Sequence, residues 1–253
     1  MALLPSPGNR LLAALPPDDF DLLAPHLQRM SFGPDAVLVR MEEQFEHVYF
    51  PISGVVAFLV EMSDGHTVAS TLMGSEGAVG ALSVLSSLRS PVTATAYVAG
   101  SALRIPSSKL KYAFEQSAAV KHVLRLHLGT QLLQLQNVAA CNAVHPVECR
   151  MARWLLELHD RVAGDVIQLT QEALAQLLGV RRTTVTLTMN KLRGAGCIKP
   201  DRRGLLNIER TQLEGIACEC YGVMRGRIDR MCSQELSCEA GGNGKVSMRP
   251  SEA

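Results

Sequence analysis

The feature that most constrains the fold is the stretch LTQEALAQLLGVRRTTVTLTMNKLRGAGCI, from Leu169 to Ile198. Its first half predicts a short helix that is capped by Thr170, whose hydroxyl can accept a first-turn amide, and that ends at Gly179, which tolerates a tight turn. The apolar residues of this helix repeat at helical spacing and are Ala173, Leu174, Leu177 and Leu178. A second helical pattern follows at once. Two short helices joined this tightly are typical of a helix-turn-helix, although ordinary helical hairpins share the pattern.

The second helix is predicted from about Arg181 to Arg193, with an apolar face formed by Val185, Met189 and Leu192. Its opposite face carries Arg182, Thr183, Thr186, Leu187, Asn190 and Arg193. A helix that is only packed has no need for arginines and threonines on one face, whereas the second helix of a helix-turn-helix enters the DNA major groove. We therefore expect DNA contacts in this region from Thr170, Arg181, Arg182, Thr183, Thr184, Thr186, Leu187, Asn190 and Lys191.

The segment GCIKPDRRGLLNI predicts a strand, a tight turn at Asp201 to Gly204 and a second strand. Arg202 and Arg203 lie at the predicted tip, where a basic hairpin would act as a wing against the phosphate backbone. Residues 168–210 hold eight Lys and Arg against three Asp and Glu, a formal charge of +5, while the whole chain has a net charge of +1. This local basic charge indicates a polyanionic partner, with an ordinary solvated face as the alternative.

The N-terminal half predicts a β domain between about Phe32 and Ile105. The predicted strands are HVYFPI, VVAFLV, TVASTLM and TATAYVA, and the predicted turns are SFGPD, PISG, SDGH and GSEG. Asp64 and Gly65 form the tip of a predicted hairpin. Short strands at regular intervals are typical of an all-β barrel or sandwich.

Helical character returns near Ser107 and continues to about Val144. The last part has two apolar seams, so we expect it to pack on the β domain and on a second copy of the chain, with burial inside one monomer as the alternative. His145 and Pro146 then break the pattern before another amphipathic helix, which marks a domain boundary. The predicted dimer interface consists of Leu124, Leu128, Gln131, Leu135, Val138 and Asn142.

A β domain, a long helix and a winged helix-turn-helix in this order resemble the Crp/Fnr superfamily of bacterial transcription regulators. The resemblance spans roughly Leu11 to Tyr221 and is most specific in LTQEALAQLLGVRRTTVTLTMNKLRGAGCIKPDRRGLLNI, while VECRMARWLLEL resembles the helix that opens the family's DNA-binding domain. It implies an α+β chain with a jelly-roll double-stranded β-helix of the cyclic-nucleotide-binding type in residues 1–115. A dimerisation helix would follow in 116–145, a winged helix-turn-helix in 146–232 and a disordered tail in 233–253.

The same resemblance implies a homodimer that binds a palindromic promoter site in double-stranded DNA, with RNA polymerase as a further partner. Arg182 falls where the family usually places an arginine that reads guanine, and a guanidinium matches guanine O6 and N7. Thr183 stands where an acid is common, and Leu187 where a basic residue is frequent. The preferred DNA sequence therefore need not be the best-known one of the family.

The resemblance gives a less complete ligand site. Cyclic-nucleotide sensors of this family use a Gly-Glu pair for the ribose and an Arg-Ser pair for the phosphate. Arg89 and Ser90 are present, but Ala78-Val79 stand at the Gly-Glu positions, and Leu135-Gln136 stand where Thr-Ser would meet the base. We therefore expect no cofactor and an effector other than cyclic AMP. The candidate ligand residues are Arg89 and Ser90, together with Glu76 and Gly77, which lie about two residues upstream of the Gly-Glu positions.

Seven cysteines are an odd number in a chain large enough to fold without disulfides, so reduced thiols are expected. The N-terminus lacks the cysteine cluster that holds an iron–sulfur centre in oxygen-sensing relatives. Cys218 and Cys220, if helical, would lie about 200° apart and could not bind one ion together, so no metal site is predicted. A redox role for Cys218, Cys220, Cys232 or Cys238 is the alternative.

Other classes of protein are weaker matches. No apolar run reaches the roughly 18 to 20 residues that span a bilayer, and the N-terminus lacks a secretory pattern, so we expect a cytoplasmic protein without a membrane partner. The sequence shows no phosphate-binding loop, metal-ligand spacing or activated nucleophile that would indicate an enzyme. A regulatory protein that binds a cyclic nucleotide or another small ligand and acts through protein partners is the alternative, but it would not need the basic module.

Overall fold

The computed structural model describes residues 7–85, 89–199 and 205–232. The fold is α+β, with an N-terminal β domain, a long helix and a C-terminal helix-turn-helix domain. The N-terminal elements are α1 (Arg10–Ala13), α2 (Pro17–Asp21), a 3-10 turn (Ala24–His26), β1 (Gln28–Phe32), β2 (Val37–Val39), β3 (His47–Glu61), β4 (Thr67–Met73), a second 3-10 turn (Ala81–Val84) and β5 (Thr93–Pro106). Within these residues, no helix is both long and apolar enough to cross a membrane.

The β domain is one antiparallel sheet in the order β1-β5-β3-β4, with β2 paired to β5. The predicted turns at SFGPD, SDGH and GSEG lie between strands, and Gly65 at the hairpin tip has a positive φ of 84°. The predicted turn at PISG is wrong, because HVYFPI and VVAFLV form the single strand β3. Gly54 allows a register shift there: its φ is +81°, and a Cβ would lie 2.6 Å from the Val98 carbonyl oxygen.

Two helices follow the sheet, α3 (Ser107–Gln116) and α4 (Ala118–Val144). The sequence predicted helix throughout this region, but Ser117 interrupts it with an extended backbone. The Ser117 hydroxyl accepts a hydrogen bond from the Val120 amide at 2.9 Å, so it caps α4. The long helix α4 then runs for 27 residues.

The C-terminal domain has the predicted helix-turn-helix. Its elements are α5 (Val147–His159), β6 (Val166–Ile167), α6 (Gln171–Leu178), α7 (Arg182–Gly194), β7 (Ile198–Lys199), β8 (Leu206–Ile208), α8 (Arg210–Ile216) and α9 (Cys220–Arg230). Thr170 caps α6 by accepting the Ala173 amide at 3.1 Å, and Gly179 has a φ of +63°. Both features were predicted from the sequence.

The strands of the predicted wing, β7 and β8, pair antiparallel, and β6 adds a third strand that the sequence did not reveal because it has only two residues. The predicted tip at Asp201 to Gly204, with Arg202 and Arg203, lies outside the described residues, as do Cys238 and the predicted tail 233–253.

One hydrophobic core is continuous between the β domain and the helix-turn-helix domain. This shared core includes Leu59, Ala69, Leu72 and Tyr97 of the sheet and Trp154, Leu174, Leu177 and Val185 of the C-terminal domain. The Tyr97 hydroxyl also donates to Gln176 Oε1 of α6 at 2.6 Å. The position of α6 and α7 is therefore set by the sheet as well as by their own domain.

The long helix α4 has one buried face and one exposed face, and this arrangement corrects part of the predicted dimer interface. Leu124 is 2% exposed in a cluster with Leu11 and Leu12, and Val138 is 8% exposed in the shared core, so neither is available to a second copy. Leu128 and Gln131 are half-buried, while Leu135 and Asn142 are exposed. The centre of the exposed face consists of Arg125, Gly129, Leu132, Gln136, Ala139 and Ala143.

Candidate nucleic-acid interface and sensor cavity

The outer face of α7 is exposed along its whole length. Val185, Met189 and Leu192 are buried, which anchors the inner face in the shared core. The side chains on the opposite face all reach solvent: Arg182, Thr183, Thr186, Leu187, Asn190 and Arg193. We call this set the recognition face. Leu187 is 66% exposed, so an apolar side chain stands among hydrogen-bonding ones.

The basic residues around the recognition face are partly paired with acids of neighbouring helices. Arg182 forms an ion pair with Glu172 of α6, and Lys191 forms one with Glu148 of α5. Exposed pairs of this kind contribute only about 0 to 1 kcal/mol, so a phosphate or a base edge can replace the carboxylate. Arg181 and Arg193 are exposed and form no ion pair among the described residues.

Two of the predicted DNA-binding threonines lie outside the recognition face and take part in hydrogen bonds within the fold. The Thr170 hydroxyl is already engaged as the cap of α6. Thr184 is half-buried, and its carbonyl accepts the Thr188 hydroxyl at 2.8 Å. The candidate interface is therefore centred on α7, with Arg181 at its N-terminal end and Lys191 near its C-terminal end.

A cavity of about 600 Å³ lies between the sheet and α4, and we call it the sensor cavity. No described residue that lines it is charged. The polar groups along its wall are Ser70, Thr71, Ser90 and Gln131. The apolar wall includes Phe45, Phe58, Val60, Val79, Leu82, Leu85, Leu128, Leu132 and Leu135. This volume falls within the range of small-molecule sites, which extends from about 300 to 1,000 Å³.

Three of the four candidate ligand residues do not line this cavity. Arg89 Nη1 donates to the Glu42 carbonyl at 2.7 Å, and Gly77 has no room for a side chain beside Met73 and His127. Ser90 does line the cavity, although its hydroxyl donates to the Val92 carbonyl at 2.6 Å. The predicted Arg-Ser pair is thus divided, because the arginine turns towards the loop that contains Glu42.

Glu76 is a structural ion-pair partner rather than a cavity residue. Its Oε1 accepts Arg161 Nε at 2.7 Å and the Gly74 amide at 3.1 Å. The side chains of Glu76 and Arg161 are 9% and 6% exposed. Burial raises the pKa of Glu76, but the Arg161 charge and the hydrogen bonds outweigh it and hold that pKa below its ordinary value. Because Arg161 follows α5, this pair joins the two domains.

His127 of α4 is buried against the same loop. Its Nε2 lies 3.3 Å from the Ala78 amide and 3.2 Å from the Ala78 carbonyl. Burial lowers the pKa of His127 to about 4, so the imidazole is neutral at physiological pH. Neither His127 nor Glu76 was placed in these roles by sequence reasoning, because their partners are distant in the chain.

A cluster of cysteine and histidine side chains, which the sequence analysis did not predict, lies where α4, α5 and α9 meet. The potential ligand atoms of Cys141, His145, Cys218 and Cys220 all lie within 4.8 Å of one another. The angular argument against Cys218 and Cys220 assumed a helix, but α9 begins only at Cys220. The spacing of Cys141 and His145, four residues apart at the end of α4, was the signal that could have revealed the cluster.

The thiols of this cluster lack the properties of a nucleophile. Burial raises the pKa of Cys218 to about 12 and also raises the pKa of Cys220. A buried thiol with a raised pKa carries little thiolate at neutral pH. The cluster is therefore poorly suited to covalent catalysis.

Comparison with known proteins gives both domains a family. Residues 29–117 match the family model of the cyclic nucleotide-binding domain, and residues 149–216 match that of the Crp-like helix-turn-helix domain. No curated protein matches the chain. The chain therefore combines a cyclic nucleotide-binding domain with a Crp-like helix-turn-helix domain.

Several solved structures share the fold at low sequence identity. FixK2 from Bradyrhizobium japonicum is 19% identical with a TM-score of 0.65, over 76% of this chain and 98% of FixK2. A putative Crp/Fnr regulator from Eubacterium rectale is 17% identical with a TM-score of 0.63, over 81% of this chain and 96% of its own. CLP from Xanthomonas campestris, described as a c-di-GMP responsive global regulator, is 20% identical with a TM-score of 0.61, over 76% of this chain and 98% of CLP. These likenesses show the fold.

Proposed function

We propose that this chain is a sequence-specific DNA-binding transcription regulator that binds a palindromic promoter site as a homodimer. The observation that carries the proposal is the recognition face, where hydrogen-bonding side chains are exposed on a helix whose other face is fixed in the core. Arg182 can bind guanine O6 and N7 once its exposed pair with Glu172 opens. Asn190 is a potential partner for adenine, and Leu187 for a thymine methyl.

The exposed face of α4 supports the homodimer. Leu132 is 57% exposed at the centre of this face, and the small residues Gly129, Ala139 and Ala143 would allow a second helix to approach closely. Two copies related by a two-fold axis would place their recognition helices on half-sites about 34 Å apart. RNA polymerase is the further partner that we propose for such a promoter-bound dimer.

We propose an uncharged, mainly apolar effector for the sensor cavity. A cyclic phosphate needs a charge-assisted partner, and no described lining residue carries a charge. Arg89, the expected phosphate ligand, is bound to the Glu42 carbonyl instead. Val79 and Leu135 line the cavity where ribose and base would need hydrogen bonds. Each polar group that is buried without a partner costs about 1 to 3 kcal/mol, which disfavours cyclic AMP.

The direct test of DNA binding is selection of duplexes from a random pool by the purified full-length chain. We expect a palindromic consensus, bound with an affinity that falls steeply as salt rises, because phosphate contacts release counterions. A regulatory subunit that acts only through protein partners would instead show no enrichment of any sequence. Selection that yields no consensus at low salt would contradict the proposed function.

The dimer is tested separately by light scattering at micromolar concentration. We expect a dimer for the wild type and a monomer for Leu132→Glu, which places a charge in the centre of the proposed interface. Leu22→Glu is the matched control, because Leu22 is also exposed but lies at the C-terminal end of α2. A monomeric wild type would contradict the proposed dimer. A Leu132→Glu variant that remains dimeric would contradict the position of the interface on this face of α4.

Calorimetric titration tests the effector. We expect cyclic AMP to show no binding at micromolar concentration and no effect on the DNA complex. Micromolar binding that also tightened the DNA complex would refute this part of the proposal. It would leave the DNA-binding function itself intact.

A further inference from the structure

We infer that Cys141, His145, Cys218 and Cys220 bind a single zinc ion in a tetrahedral Cys3His site. The four residues come from the last turn of α4, from the break before α5 and from the start of α9. Three of the four are buried, and His145 is partly buried. Neither the recognition face nor the sensor cavity includes any of them.

The distances within the cluster fit one ion. Zinc lies about 2.3 Å from a thiolate, so two sulfurs of a tetrahedral site are about 3.8 Å apart. Cys141 Sγ lies 3.6 Å from Cys218 Sγ, and Cys220 Sγ lies 3.7 Å from His145 Nδ1. A disulfide would need sulfurs about 2 Å apart. A polynuclear iron–sulfur cluster would need ligand atoms spread around several irons, whereas these four lie within 4.8 Å.

The surroundings of His145 match those of a zinc ligand. Its Nδ1 points towards Cys220, while its Nε2 lies 3.2 Å from Glu219 Oε1. Histidines that bind zinc commonly donate the second ring nitrogen to a carboxylate, which fixes the tautomer and the ring orientation. Glu219 therefore orients the imidazole with the metal-binding nitrogen towards the three sulfurs.

A buried arginine beside the cluster supports the presence of thiolates. Arg153 is fully buried near Cys141, and its Nη1 donates to Glu157 Oε1 at 2.6 Å. Its Nε and Nη2 atoms have no hydrogen-bond acceptor within the described part of the chain. A zinc-bound thiolate is negatively charged and accepts hydrogen bonds, so it would provide the acceptor that a neutral thiol provides only weakly.

The choice of zinc follows from the donor set. Sulfur and imidazole in tetrahedral geometry favour zinc over the hard cations calcium and magnesium, which prefer six or more oxygen ligands. Four protein ligands also close the coordination sphere, as in structural rather than catalytic zinc sites. The ion would join α9 to the end of α4, and its binding free energy would add to the stability of that junction.

The test uses the full-length chain purified under reducing, oxygen-free conditions. We expect one zinc per chain by elemental analysis, and replacement by cobalt should give the thiolate charge-transfer and visible bands of a tetrahedral sulfur site. Cys218→Ser combined with Cys220→Ser should remove the ion and these bands. Cys149→Ser is the matched control: this thiol packs against the cluster but lies outside the four ligands, so the ion should remain.

A graded variant separates metal binding from folding. Glu219→Gln keeps all four ligands and should weaken zinc affinity by about 10- to 100-fold in competition with a chelator. If the double serine variant fails to fold, the cobalt spectrum of the wild type and its loss on chelation decide the question. A wild type without stoichiometric zinc or cobalt bands would overturn the inference. A disulfide among these cysteines in the freshly isolated chain, or a polynuclear iron–sulfur centre, would overturn it equally. All readouts are metal content and spectra, so they do not depend on DNA binding.

Discussion

The recognition face and the candidate ligand residues of the β domain differ in how their polar side chains find partners. On α7 the polar side chains are exposed, and the strongest interaction of Arg182 is an exposed pair with Glu172. In the β domain, by contrast, Glu76 and Arg89 are bound to other parts of the chain. The α7 residues remain available to an external partner, whereas those of the β domain contribute to folding.

This contrast shows that residue identity predicts function more directly on the exposed face of α7 than among the buried residues of the β domain. A surface helix presents its side chains according to helical spacing alone, so residue identity is sufficient to suggest a DNA contact. A buried carboxylate or arginine must find a partner within the fold, and the identity of that partner decides its role. The following four experiments test this contrast, in order of decreasing effect.

The largest expected effect is on the free energy of unfolding of Glu76→Ala. Removing this carboxylate leaves Arg161 buried without its partner, which typically costs about 3 to 5 kcal/mol. Urea unfolding measures the change. Glu115→Ala is the control, since Glu115 is exposed and should alter stability very little. If Glu76→Ala were as stable as the wild type but lost an effector response, Glu76 would be a ligand residue and the contrast would fail.

The second effect is a loss of stability in acid that depends on His127. Its folded pKa of about 4 is below the ordinary value of 6.5, so the unfolded chain takes up the proton first. The contribution of neutral His127 to the free energy of unfolding should be fully present above pH 6.5. It should fall by roughly 3 kcal/mol as the pH approaches 4. Glu76 adds a further loss at lower pH, because its folded pKa is also lowered.

The variant His127→Gln isolates the histidine contribution in urea unfolding at several pH values. Its stability should vary less between pH 6.5 and 4 than that of the wild type. His66→Gln is the control, because His66 is exposed and should leave the wild-type profile unchanged. Identical pH profiles for His127→Gln and the wild type would show that His127 is not buried neutral.

The third effect concerns DNA affinity, on the other side of the comparison. Arg182→Ala should weaken binding of the selected site by about 1 to 3 kcal/mol and relax preference at one base pair per half-site. Fluorescence anisotropy with matched and mismatched duplexes measures both changes. Glu172→Gln is the control, since it frees Arg182 and should leave affinity unchanged or slightly tighter. Arg193→Ala should weaken all sequences alike and reduce the salt slope by about 1.

If Arg182→Ala bound the selected site as tightly as the wild type, the assignment of α7 as the recognition helix would be wrong. A uniform loss over all sequences would assign Arg182 to the phosphate backbone instead. Either result would show that an exposed arginine on α7 does not necessarily read a base.

The smallest effect is expected for Thr170→Ala. Loss of the cap on α6 should lower the free energy of unfolding by about 1 kcal/mol and leave DNA sequence preference unchanged. Thr183→Ala provides the opposite pattern, because this exposed threonine should affect DNA binding more than stability. A change of preference in Thr170→Ala at unchanged stability would show that its hydroxyl contacts DNA.

Local features could be predicted from the sequence more completely than distant pairings. The bounds of α7, the cap at Thr170 and the turn at Gly179 depend on neighbouring residues, so spacing was sufficient. The register shift at Gly54 joined two predicted strands into β3, because backbone hydrogen bonds to β5 continue past it. A strand of two residues such as β6 carries no periodic signal at all.

The Glu76–Arg161 pair and the cysteine–histidine cluster show a second limit. Glu76 and Arg161 are separated by 85 positions, and Cys141 and Cys218 by 77, so no local pattern links them. The seams of α4 were also misassigned in part, since Leu124 and Val138 are covered by elements that lie far away in the chain. Periodicity shows that a face is apolar but does not identify what covers it.

The shared core has a consequence for how the molecule melts. Because Leu72 and Tyr97 of the sheet lie in one cluster with Trp154 and Leu174 of the C-terminal domain, neither domain can lose its structure without exposing apolar surface of the other. We therefore expect the two domains to unfold as one cooperative unit, with a single calorimetric transition. A molecule that binds and stabilises the sheet should then also raise the melting temperature of α6 and α7, even though it does not contact them.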